Sequence, residues 1–410
     1  MTGLDLTSGF RQKGQGTALL VASGHGATHW FKASFFILMP FIQKSLGLSY
    51  FEVGLLGTIL MATSVIVNLG GSALIDITGR RVLFQVISLT AGASTLVLIG
   101  MSDAYWMLCV LAAMIGASNF LWHPAAIPYL SNLFPDNKGY VLSIHAIGAS
   151  VGDLAAPFVI GVMLTWLGTW QTTAIANAVP IFIIAACILI FLLPKENSAR
   201  RAADGKDKNG MNLSDYVAGL KGILKERAVV GLCLIAGFRA TAINGFLMFL
   251  PLYLINELDF SKIEMGTTIT IMQIGGLIAT AIAGILSDNI GRRPVVMFGL
   301  TLTTIMTIGI TFVTDSLIYI ICISILGFAL YSTRGVVHSW MMDVTPQDMG
   351  ASATGLMFGT QTLLSTIIPL VGGIIADVYG LLYVFYFIAL MMLFANASVL
   401  IMPKAALKPE

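Results

Sequence analysis

The chain has 410 residues, 57% of them hydrophobic and only 10% charged, with a formal net charge of +2. Soluble domains carry roughly 25% charged residues, so this composition excludes an ordinary soluble domain and points to a polytopic membrane protein. The charge balance gives no footprint for nucleic acid, and Cys109, Cys187, Cys233 and Cys322 sit singly in apolar runs without disulfide or metal spacing.

A spanning helix needs about 20 mostly apolar residues. Runs of that kind predict twelve spans, near 17–45, 50–75, 82–101, 104–133, 140–166, 171–194, 228–255, 261–287, 294–314, 316–344, 350–376 and 380–402. The first sixteen residues are polar and the first apolar run is too long for a signal peptide, so no cleavable signal is predicted. Connections are short except at 195–227, which is rich in Lys, Arg, Asp and Gly. The predicted organisation is a six-helix bundle over 1–194, a linker loop over 195–227 and a second six-helix bundle over 228–410. An even number of spans puts both termini on one side. That side collects seventeen Lys and Arg residues, among them Arg11, Lys13, Lys138, Lys404 and Lys408, against only Lys44 and Lys262 opposite. Basic residues stay inside, so both termini and the loop are expected in the cytoplasm, with the chain in the inner membrane.

Taken in chain order, a few spans hold ionisable groups. Span one carries GHGATHWFK at 24–32, where His25, His29 and Lys32 stand four and three apart on one helix face. Span four carries Asn119 and His123, again four apart. Span five carries His145 and Asp153 on one face, within and just before the stretch GASVGDLAAPFVIG. In that stretch Gly148, Gly152, Pro157 and Gly161 suit close helix packing in lipid. Span seven carries Arg239, and span ten carries Tyr331, Arg334 and His338 as a stripe. Asp343 lies near a span end and reads as interfacial.

An ionisable side chain at the bilayer centre costs about 2.5–3.5 kcal/mol on insertion scales, so these residues are functional candidates. Arginine keeps its proton in any protein setting. One Asp153 cannot neutralise Lys32, Arg239 and Arg334, and that excess predicts an anionic substrate. The guanidinium fork suits carboxylate, phosphonate or phosphate. His25, His29, Lys32, Asn119, His123, Arg239, Tyr331, Arg334 and His338 are the expected binding residues. Asp153 and His145 are the expected proton-coupling groups, since a desolvated carboxylate and an imidazole both titrate near neutral pH. The rival role for Asp153 is a simple pair with His145 or with an arginine. His25 and His29 have metal-ligand spacing, but no carboxylate pairs with them along the sequence and the nearby fixed cations would repel a metal. No metal, cofactor or catalytic set is predicted.

The chain repeats itself at an offset of 211 or 212 residues. Pro40 falls on Pro251, Gly54 on Gly266, Asp76 on Asp288, Gly116 on Gly327, Pro135 on Pro346, Gly148 on Gly359 and Pro157 on Pro369. Gly79, Arg80 and Arg81 fall on Gly291, Arg292 and Arg293. Parallel repeats of six spans describe a transporter with its site near the midplane.

The duplicated loops read SALIDITGRR at 72–81 and GILSDNIGRR at 284–293. Both resemble the GxLaDrxGrr signature of the major facilitator superfamily, with Ser72 and Ile77 as departures in the first copy. The resemblance covers the whole chain. It implies an all-α membrane protein of twelve transmembrane helices in two pseudo-symmetric six-helix bundles. It implies that spans one, four, seven and ten line the cavity, and that Asp76, Arg80, Asp288 and Arg292 latch the bundles at the cytoplasmic face. Span five is similar to the family's antiporter motif. Gly24, His25 and Pro40, then His123 and Pro124, then Arg239 with FLPLY at 249–253 resemble the fosmidomycin-resistance branch of exporters. That branch usually has an acid near position 29, where this chain has His29.

The expected function is therefore secondary active transport of a small organic anion or anionic drug-like compound. The expected mode is proton-coupled efflux by a monomer, with protons and the lipid bilayer as its other partners. An uptake symporter or an anion exchanger is the alternative, supported by the missing acid at 29. Nothing resembles a nucleophile motif or a nucleotide-binding loop, which speaks against an enzyme.

Overall fold

The computed structural model describes residues 14–197, 226–345 and 350–402, and every regular element among them is helical. Arg11, Lys13, Pro346, Lys404, Lys408 and most of the predicted linker lie outside the described residues. Helices α1 (Gln15–Leu46), α2 (Tyr50–Thr78), α3 (Arg81–Gly100), α4 (Tyr105–Leu133), α5 (Lys138–Leu167) and α6 (Trp170–Phe191) form the first bundle. The second holds α7 (Arg227–Asn256), α8 (Lys262–Ile290), α9 (Arg292–Gly309), α10 (Ser316–Val344), α11 (Gly350–Ser365), α12 (Ile367–Tyr379) and α13 (Leu381–Ile401).

These helices fall on the predicted spans to within a few residues, with two differences. Span eleven is broken into α11 and α12 at Thr366. Pro369 has no N–H to offer the carbonyl of Ser365, four residues back, so the ladder opens there. The Thr58 hydroxyl of α2 donates to the Thr366 carbonyl at the break, at 3.2 Å. The second difference is α1. Among the described residues, eleven helical segments are both long and apolar enough to cross a membrane, and α1 is not one of them despite its 32 residues. Its polar stripe at 25, 29 and 32 dilutes its hydropathy. It is instead buried by its neighbours, with Val21, Phe31, Leu38 and Met39 fully covered. The outer faces of the bundles keep large apolar side chains such as Trp166 and Ile285 exposed, as suits helices solvated by lipid tails.

The repeat is carried by matching backbone contacts. Ser49 with Glu52 and Ser261 with Glu264 make reciprocal capping boxes at the starts of α2 and α8. A Cβ on Gly54 would lie 2.1 Å from the Pro369 carbonyl oxygen, and one on Gly266 would lie 2.3 Å from that of Pro157. These are the same contact made twice, with the bundles exchanged, and only glycine allows it. Around it, Lys262 Nζ donates to the Leu164 carbonyl at 2.9 Å, and Asn256 donates to Gln43 at 2.8 Å. The Tyr50 and Phe51 N–H groups, at the start of α2, donate to the Asp377 carboxylate at 2.8 and 2.7 Å. An anion at a helix N-terminus is favourably placed. All these contacts lie at the end of the bundles away from residues 14 and 402, and they seal it.

Candidate functional site

Between the bundles lies a cavity with two connected chambers of about 580 and about 200 Å³. His29, Lys32, Asp153, Arg239, Tyr331 and Arg334 line both. The larger chamber, which extends toward the end carrying the termini, also takes in His25, Asn119, His123 and His338.

The first-bundle wall follows from the sequence of α1. Residues 25, 29 and 32 share a face, and the glycines beside them let other helices approach. A Cβ on Gly148 would meet the Ala22 carbonyl oxygen at 2.0 Å, and one on Gly152 would meet that of Gly26 at 2.3 Å. So α5 lies backbone to backbone on α1. That contact carries Asp153 to His29, with Oδ1 at 2.9 Å from Nδ1. Two readings from sequence are corrected here. Asp153 pairs with neither His145 nor an arginine. Eight residues of helix separate 145 from 153 by about 12 Å along the axis, whereas His29 comes from the adjacent helix. The position that lacks an acid in sequence has one beside it in space.

His145 turns away from the cavity. It is 4% exposed, and its ring stacks on His25 with centroids 3.9 Å apart. Neither of its ring nitrogens has a hydrogen-bond partner among the described residues. Its carbonyl accepts from His25 Nδ1 at 2.8 Å, and His25 Nε2 lies 3.2 Å from His123 Nε2. Asn119 lines the chamber but spends its amide on the Thr28 carbonyl, at 3.1 Å.

The second-bundle wall is built of fixed charge. Arg239 is 3% exposed, and its Nε and Nη1 have no hydrogen-bond partner among the described residues. Arg334 is exposed to the cavity from α10. The Tyr331 ring packs over Gly276, where a Cβ would clash at 2.5 Å. His338 sits at the margin of the larger chamber, 6.1 Å from the ring of Phe358.

Gly79 and Gly291 both hold positive φ, at 63° and 93°, which disfavours any other residue. Arg292 bonds Asp288 and lies 3.0 Å from Asp343 of α10. These partners belong to its own bundle, so Arg292 makes no latch to the first bundle through them. Asp343, read as merely interfacial, is one of them. Asn244, Gln273 and Gln361 also line the cavity and were missed, because a neutral amide inside a span carries no charge to flag it.

The profile of the Major Facilitator Superfamily matches residues 21–276 and 232–409. A phosphoglycerate transporter protein of Salmonella typhimurium is 24% identical over 82% of this chain and 77% of its own. A multidrug resistance protein of Proteus mirabilis is 25% identical over 88% and 90%. Among solved structures, a bacterial homologue of the human lysosomal transporter Spinster, in an inward-facing, occupied conformation, superposes with a TM-score of 0.78. It covers 97% of this chain and 99% of its own at 12% identity, a likeness of fold.

Proposed function

The chain belongs to the Major Facilitator Superfamily, whose members are transporters and not enzymes, and on that premise we propose that it moves a small organic anion across the inner membrane by proton-coupled alternating access. The observation that carries this is Arg239. A buried guanidinium is costly when its nitrogens lack partners, as Nε and Nη1 do among the described residues, and here it opens on a cavity it shares with Lys32 and Arg334. The one carboxylate in the group, Asp153, is already engaged by His29. Counted against Asp153, Lys32, Arg239 and Arg334 leave the cavity a surplus of two positive charges, which a dianion bearing carboxylate, phosphonate or phosphate groups neutralises. Similarity to a phosphoglycerate transporter supports the same class.

In this reading Arg239 and Arg334 clamp the anion, and Lys32, His29 and His123 complete the site from the other bundle. Binding cancels the repulsion between the two cationic walls and so lowers the cost of bringing them together. The distribution of Lys and Arg supports cytoplasmic termini, and in this reading the cavity loads from the cytoplasm. Cytoplasmic loading and the drug-resistance relative suit the efflux expected from sequence. One observation favours the alternative, uptake by symport. Asp153 and the anion carry like charge in one cavity, so a proton on Asp153 helps the anion to bind, and by linkage the anion helps the proton. Efflux by antiport needs the two to compete. The geometry favours symport on this ground.

The test is transport of phosphoglycerate and of simple carboxylates and phosphonates in proteoliposomes, with and without a pH gradient. Arg239→Ala and Arg334→Ala should each abolish it. If both leave anion transport intact, the clamp is wrong. Accumulation driven by a gradient that is acidic on the anion's side marks symport, and counterflow indifferent to pH marks exchange.

A further inference from the structure

One ring nitrogen each from His25, His29 and His123 lies within 4.8 Å of the others. Two come from adjacent turns of α1 and one from α4. The orientation of each ring decides what such a cluster can do. A carbonyl can only accept, so the His145 carbonyl at 2.8 Å fixes the proton of His25 on Nδ1 and leaves Nε2 as an acceptor, which takes the His123 Nε2–H at 3.2 Å until a metal displaces that proton. His29 gives its Nδ1 to Asp153, which likewise leaves Nε2. Metal-ligating histidines characteristically donate their second nitrogen to a backbone carbonyl or a carboxylate, and both supports are present here.

The spacing agrees. The Nε2 atoms of His25 and His123 stand 3.2 Å apart. With Zn–N bonds of about 2.0–2.1 Å in a tetrahedral site, two ligand nitrogens fall about 3.3 Å apart. We propose that His25, His29 and His123 form a binding site for one borderline divalent transition-metal ion of the Zn²⁺ type, with its fourth position open to the cavity. Three neutral imidazoles and an open position suit zinc and its neighbours better than magnesium or calcium, which prefer oxygen. An ion there ties α1 to α4. The fixed cations Lys32, Arg239 and Arg334 line the same cavity and oppose it, and Asp153 beside His29 offsets one of them. The sequence expectation of no metal rested partly on the absence of a carboxylate, and Asp153 removes that ground.

The experiment reads metal directly and so stands or falls apart from anion transport. Purified full-length protein, stripped with a chelator, is titrated with Zn²⁺ against a chromophoric competitor, and separately with Co²⁺ while its visible spectrum is recorded. The expected result is one ion per chain, with the intense visible bands of tetrahedral Co²⁺. His29→Gln and His123→Gln should each weaken Zn²⁺ binding at least about tenfold, and Asp153→Asn about 10–100-fold through the support it gives His29. Cys322→Ser should leave it unchanged. Failure of the wild-type protein to bind one ion, an octahedral Co²⁺ spectrum, or affinity indifferent to His29→Gln and His123→Gln in variants that stay monodisperse would overturn the site. The Co²⁺ spectrum needs no variant and decides the matter even if those proteins do not fold.

Discussion

The two bundles share their scaffold and differ in the chemistry they bring to the cavity. Both open their second helix with a Ser–Glu capping box, and both seal against the other through one glycine on one proline carbonyl. Gly116 on Leu60 in the first bundle is matched by Gly327 on Met272 in the second. Yet the first bundle faces the cavity with His25, His29, Lys32, His123 and Asp153, and the second with Arg239, Arg334 and His338. One wall groups imidazoles and a carboxylate around a single ammonium, and the other is led by two guanidinium charges. The two copies share several backbone contacts, where a single added Cβ collides with a carbonyl, and differ in their cavity side chains.

The largest expected effect breaks the fixed-charge wall. Truncating one partner of a buried charge pair costs about 2–5 kcal/mol, so Arg239→Ala should weaken anion binding about 30-fold or more, measured by isothermal titration. Arg239→Lys should recover only part of this, because an ammonium lacks the two-pronged geometry. Next comes the titratable wall. Asp153→Asn keeps the shape of the carboxylate but cannot exchange a proton. It should abolish gradient-driven accumulation in proteoliposomes while leaving counterflow, and retention of the gradient effect would move coupling to the histidines.

A third experiment tests the scaffold. Gly148→Ala forces a Cβ to 2.0 Å from the Ala22 carbonyl oxygen, and overpacking of this kind costs about 1–3 kcal/mol. Its repeat partner Gly359 has open space around it, so Gly359→Ala should not lower the melting temperature while Gly148→Ala should. Equal effects would show that the α1–α5 contact is not special. The smallest effect is expected at the loop motif. Asp343 and Arg292 are partly exposed, and exposed ion pairs contribute about 0.2–1 kcal/mol. Asp343→Asn should leave anion affinity within about twofold and show itself, if at all, in the transport rate.

The span boundaries were legible because each span needs an unbroken apolar length. Ser316–Val344 falls on the predicted 316–344, and α5 differs from its prediction by two residues at one end and one at the other. The break at Thr366 was also implicit in Pro369, but a proline in a membrane span does not always open the helix, and α4 runs on through Pro124 and Pro128. The site residues on α1, α4, α7 and α10 could be named because charge inside a lipid-facing run is conspicuous. Their partners could not. Sequence offers Asp153 as a proton carrier or as the partner of His145 or an arginine, whereas in the structure it pairs with His29, and His145, expected at the coupling site, lies behind His25.

Composition, repeat and hydropathy by themselves determined the helical membrane class, the twelve segments, the duplication and the excess of cations, since each is written in residue type and spacing along one chain. Only the tertiary structure decided which helices touch, and hence that the Gly148 and Gly152 contacts bring Asp153 to His29, that three histidines converge, and that Arg239 Nε and Nη1 find no hydrogen-bond partner among the described residues. The physical reason is range. Lipid solvation and helix periodicity act within a segment, whereas pairing in a cavity depends on how closely separate helices pack, which glycine contacts between distant segments set.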